Sequence, residues 1–113
     1  MRFLLKFVIV SIAVYLVSKL LSGIYFRSAS SAFIFVAVFG LLNIFIKPLL
    51  VLFTIPITIL TLGLFLFVIN AVIVLLADAV IPGFDVANFW WALLFSIIIS
   101  VIHSVTESLV DGN

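Results

Sequence analysis

Five basic residues, four acidic residues and one histidine carry nearly all the ionisable chemistry of this 113-residue chain. His103 and Glu107 stand four apart and so share one helical face. A histidine titrating near neutrality beside a carboxylate could relay a proton; the alternative is a solvated helix end. Lys19 and Asp78 fall at matching depths in their segments, and an ion pair between them is the expected contact. Asn43, Lys47, Thr54, Thr58 and Thr61 keep one helical face. That face could line a polar cavity, or its threonines could simply bond their own backbone. Asn70 and Asn43 sit among apolar residues, where an asparagine usually bonds across to another helix. Ala92, Ser96, Ser100, Ser104 and Ser108 recur every four residues, a stripe that lets two helix backbones approach closely. It reads as a helix–helix interface, within the bundle or between subunits, or as the wall of a pore.

None of this composes a catalytic site. There is no nucleophile with a base and an orienting acid, no Gly-rich phosphate loop and no carboxylate pair set in a pocket. The absence of cysteine excludes disulfides, thiolate metal sites and cysteine nucleophiles. One histidine cannot build a His-rich metal site. The expectation is a non-enzyme with no cofactor and no metal. A net charge of +1 implies no nucleic-acid partner.

The elements that must position these residues follow from composition. Apolar residues make up 68% of the chain and charged residues 8%. A soluble domain of this size leaves much of its chain near the surface, and too little polar sequence is present to cover it. The expected solvent is lipid, the expected fold an all-α, four-helix integral membrane bundle forming a single transmembrane domain over residues 1–113. Spans are expected at about 3–24, 32–53, 63–80 and 89–110, each near the ~20 residues that cross hydrocarbon. The first reads as a membrane helix rather than a cleaved leader, because Ser18-Lys19-Leu20-Leu21-Ser22-Gly23 lacks a small-x-small cleavage site.

Turns separate the spans for local reasons. Arg27-Ser28-Ala29-Ser30-Ser31 is polar, and Pro82-Gly83-Phe84-Asp85 pairs a fixed φ with a residue free to take positive φ. Asn88 is placed to cap the last helix, and Trp90 and Trp91 suit an interfacial aromatic belt. Pro48 and Pro56 interrupt the stretch between spans two and three, which reads as kinked or partly re-entrant. Arg2, Lys6 and Lys47 on one side, against Arg27 with Lys19 lying toward it, place both termini in the cytoplasm by the positive-inside rule.

The run from Asn43 through Lys47-Pro48, Thr54-Ile55-Pro56 and Leu62-Gly63 to Asn70-Ala71 resembles the YvlD family, also catalogued as the four-span phage holin superfamily IV. Val80-Ile81-Pro82-Gly83-Phe84-Asp85-Val86 and Phe89-Trp90-Trp91-Ala92 resemble it too. The resemblance covers nearly the whole chain. It implies a small four-span protein of the bacterial inner membrane and supplies no catalytic residues. The acidic C-terminal region, with Glu107 and Asp111, departs from the basic tail common in holins. Three roles are open from the sequence. The first is a structural or envelope-associated protein that self-associates through the serine stripe or meets another membrane protein. The second is a holin-like pore former, and the third a small transporter or lipid-handling protein.

Overall fold

The apolar runs become six helices and two short strands in the computed structural model, which describes residues 1–111. Helix α1 spans Arg2–Ser18, strand β1 Ile24–Phe26, α2 Ala29–Phe45 and α3 Lys47–Phe53. They are followed by α4 Ile55–Leu60, α5 Phe65–Val80, β2 Phe84–Val86 and α6 Phe89–Asp111. The long helices alternate in direction, and packing places them in the ring order α1, α2, α5, α6, with α6 closing back on α1.

Each break has a cause in the sequence. Ser18 Oγ donates to the Tyr15 carbonyl at 2.6 Å, and Leu20 and Leu21 bond three residues back, so α1 tightens and stops well before Ile24. Pro48 cannot donate to the Ile44 carbonyl and crowds it, and α3 departs from α2 by 41°. Pro56 does the same to the Leu52 carbonyl, ending α3 at Thr54, whose hydroxyl donates to the Leu50 carbonyl at 2.7 Å. Leu62, almost fully exposed, takes the left-handed conformation (φ 58°) that turns the chain into α5. Asn88 accepts the Trp91 N–H at 3.0 Å and caps α6, as its position before the aromatic pair suggests.

The all-α expectation needs one amendment. The turns α1–α2 and α5–α6 pair as an antiparallel two-stranded ribbon, with Ile24 opposite Val86, Tyr25 opposite Asp85 and Phe26 opposite Phe84. Arg27 N–H to the Gly83 carbonyl (2.7 Å) and Ala87 N–H to the Gly23 carbonyl (2.8 Å) extend it. The ribbon satisfies backbone groups that two irregular loops would leave open. Its approach needs two glycines. The Trp91 ring lies where a Gly23 side chain would be, and Gly83 sits at φ 85° with Ser31 Oγ 2.8 Å from a would-be Cβ.

The core is concentrated under this ribbon. Phe26, Phe35, Phe84 and Phe95 form one aromatic cluster, with centroids from 4.6 to 6.2 Å apart. Val10, Val14, Ala32, Ala71, Val74, Ala77 and Ala92 pack around it. Away from the ribbon the apolar surface is open. Ile44, Leu52, Phe53, Leu60 and Leu109 are all exposed.

By length and composition α6 alone is a sufficient span, at about 35 Å for its 23 residues. Only 22% of its most apolar stretch is buried, which is unlike the core helix of a water-soluble domain. The bent pair α2–α3 passes the same test when taken together, and α5 is a shorter apolar helix of 16 residues.

Candidate functional site

At the end opposite the ribbon the helices diverge. A crevice of about 1000 Å³ opens between them, bordered by α1, α2, α3, α5 and α6. Its body is apolar, with Phe7, Val10, Val36, Phe39 and Ile99 among the walls. Lys6, Asn43, Lys47, Asn70, His103 and Glu107 supply polar groups. Gly40 is part of the wall, and a side chain added there would meet nothing within 4 Å.

The cations of the crevice differ in their partners. Lys6 donates to Glu107 at 2.8 Å and to Asp111 at 3.0 Å, and Arg2 lies 3.8 Å from Asp111. Antiparallel packing of α1 on α6 brings these groups together, so the charges tie the first turns of the chain to its last helix. The Lys6 hydrogen bond, with Arg2 nearby, holds the Asp111 carboxyl below its ordinary value of 3.8. Lys47, half-buried at the start of α3, has no acidic partner among the described residues.

The residues singled out in the sequence divide between two places. Asn43, Lys47, Asn70, Ser96 and Ser100 all border the crevice. Ser104 borders a smaller cavity of about 260 Å³ between α5 and α6, whose wall also includes Asn70, Ser96 and Ser100. Lys19 and Asp78 lie near the ribbon end, and the structure does not bring them into an ion pair. Lys19 Nζ instead sits 4.7 Å from the centre of the Tyr15 ring, one turn back on the same helix.

Most of the polar groups are occupied locally. Asn43 Nδ2 donates to the Phe39 carbonyl at 2.7 Å, and Thr61 Oγ1 donates to the Ile57 carbonyl at 3.1 Å. Ser96 Oγ donates to the Leu93 carbonyl and Ser100 Oγ to the Ser96 carbonyl. The stripe on α6 is buried at Ala92 and Ser96 and exposed from Ser100 onward, so it leaves the packed core as the bundle opens. Ser11 Oγ and Thr58 Oγ1 are buried without a hydrogen-bond partner. Among the described residues, no three His, Cys, Asp or Glu side chains are grouped to hold a metal.

The profile of a family described as mycobacterial four-transmembrane-segment phage holin, superfamily IV, matches residues 1–105. The chain belongs to this family. It is 39% identical over 88 residues to an uncharacterised membrane protein, YvlD, of Bacillus subtilis, covering 77% of this chain and 74% of that protein. It is also 39% identical over 110 residues to an uncharacterised protein of Streptomyces coelicolor, covering 91% and 88%. No solved structure matches it. This member of the holin-like superfamily is a small membrane protein with a mostly helical fold, and the residues that line its crevice fall within the matched region except Thr106 and Glu107.

The positive-inside pattern sets Lys6 on the side of both termini but does not join it to Glu107 and Asp111. The missing information was which helix neighbours α1. The available signal was spacing. Glu107 and Asp111 are four apart, as are Arg2 and Lys6, so two antiparallel helices can pair both sets.

Proposed function

We propose that this is a four-span protein of the bacterial cytoplasmic membrane that holds a membrane lipid in the open end of its helix bundle. Its termini and the crevice face the cytoplasm, and the ribbon faces outward. The observation that carries this reading is the crevice itself, an apolar space of about 1000 Å³ with polar side chains in its wall. In hydrocarbon such a space fills with acyl chain, and the polar groups meet a headgroup where the space reaches the interface. The charge distribution supports the orientation. Arg2, Lys6 and Lys47 lie toward the crevice end, against Lys19 and Arg27 at the ribbon end.

No role in this reading calls for catalysis. The α3–α4 segment lies at the inner interface, with the exposed side chains of Leu49, Leu52, Phe53, Ile57, Ile59 and Leu60 turned to lipid.

Native mass spectrometry tests the lipid reading. Released from mild detergent, the protein should retain one lipid after looser lipids are stripped away. Gly40→Trp should fold and lose that lipid, because the new ring enters the crevice from a wall with free space beside it. Equal retention by Gly40→Trp would overturn the reading.

One observation favours a second reading, self-association leading to a holin-like pore. Ser100, Ser104 and Ser108 form an exposed run of small side chains on α6. Oligomers in nanodiscs that Ser104→Leu converts to monomers would support it.

A further inference from the structure

The charges around the crevice do not cancel, and their imbalance selects a class of lipid. Lys6 is spoken for, held by Glu107 at 2.8 Å and Asp111 at 3.0 Å. Glu107 is the acidic residue of the crevice wall, and it is turned toward Lys6. Lys47, at the α2–α3 bend, is the cation of the crevice wall left without an acidic partner among the described residues. Asn43, one helical turn before it, keeps its carbonyl and one amide hydrogen free, because only its bond to the Phe39 carbonyl is made.

An unpaired ammonium beside an apolar space is costly in a bilayer unless it reaches water or meets an anion. We propose that the occupant of the crevice is an anionic phospholipid whose phosphate Lys47 holds, with its chains against Phe7, Val10, Val36, Phe39 and Ile99. This assignment rests on the lipid-holding reading above and adds the headgroup. The Glu107–Asp111 pair keeps Lys6 from competing for the same phosphate, so one cation sets the preference. A zwitterionic lipid would bring its own ammonium toward Lys47 and lose that advantage.

The test titrates the detergent-solubilised protein with dioleoyl phosphatidylglycerol and, separately, with dioleoyl phosphatidylcholine. The first tightly retained lipid is counted by native mass spectrometry. Wild type should prefer the anionic lipid by about fivefold, the scale of one basic side chain acting at an anionic membrane surface. Lys47→Gln should bring the ratio near one, and Lys47→Arg should restore it. Lys19→Gln, at the ribbon end and beside Tyr15, should leave the ratio unchanged.

A wild-type ratio near one, with one lipid still retained and lost in Gly40→Trp, would overturn the headgroup assignment while leaving the crevice as a lipid site. Retention unaffected by Gly40→Trp would remove the lipid-holding reading itself. A preference that survives Lys47→Gln, or that Lys19→Gln abolishes equally, would overturn the role given to Lys47.

Discussion

Replacing Phe35 by alanine should separate the packed end of this protein from its open end. Phe35 is fully buried and meets four rings. These are Phe84 at 4.6 Å, Phe39 at 5.3 Å, Phe26 at 5.5 Å and Phe95 at 5.6 Å between centroids. In a water-soluble core, Phe→Ala costs about 3–5 kcal/mol. In a bilayer the unfolded helices remain in hydrocarbon, so much of the transfer contribution disappears and packing is what remains. Aromatic pairs contribute about 0.5–1.5 kcal/mol each beyond area. Four such pairs, partly relaxed around the cavity, give an expected loss of about 2–4 kcal/mol. Phe53→Ala removes the same side chain from a position 77% exposed, at the end of α3. It should cost under about 0.5 kcal/mol. Reversible unfolding in bicelles, followed by circular dichroism, measures both. Equal losses for the two variants, or a loss below about 1 kcal/mol for Phe35→Ala, would refute the placement of the core under the ribbon.

Other outcomes follow from single sites. Gly40→Ala should stabilise by about 0.5–1 kcal/mol, since alanine is the better helix former and its methyl meets open space. Gly23→Ala should do the opposite, by about 1–3 kcal/mol, because its methyl collides with the Trp91 ring and the ribbon must shift. Thermal unfolding of the two variants in one detergent gives both signs. Asp111 has a lowered folded-state value, so its bond to Lys6 stabilises the fold above 3.8 and is lost as pH falls through that lowered value. Asp111→Asn should flatten the stability-against-pH curve in that acidic window and leave its shape near neutrality unchanged.

Local chemistry made some elements legible in advance and left others hidden. Pro48 and Pro56 announce their breaks because a missing N–H and a ring clash need no tertiary context. Asn88 announces its cap for the same reason. The ribbon was hidden because its strands are three residues each and separated by all of α2 to α5. The one trace was the alternation in Ile24-Tyr25-Phe26 and Phe84-Asp85-Val86, where apolar residues flank a polar-tipped one. Lys19 and Asp78 show why depth is weaker evidence than neighbourhood. Equal depth says nothing about which helix faces which, and Tyr15 offered Lys19 a nearer partner. The Asn43–Thr61 face was visible as a pattern, but its threonines at 54 and 61 bond their own helices. The crevice lay outside local sequence altogether, because it is the space left where helices diverge from an aromatic-packed end.

The proposed arrangement has four helices crossing the bilayer, with the ribbon at one face and the crevice at the other. Single cysteines at Ser30 and Asp85, near the ribbon, and at Pro56 and Asp111, near the crevice, test it with a membrane-impermeant maleimide on intact cells. The expected result is labelling of Ser30→Cys and Asp85→Cys from outside, and of Pro56→Cys and Asp111→Cys only after the membrane is opened. Labelling of Pro56→Cys or Asp111→Cys from the same side as the ribbon positions would contradict it.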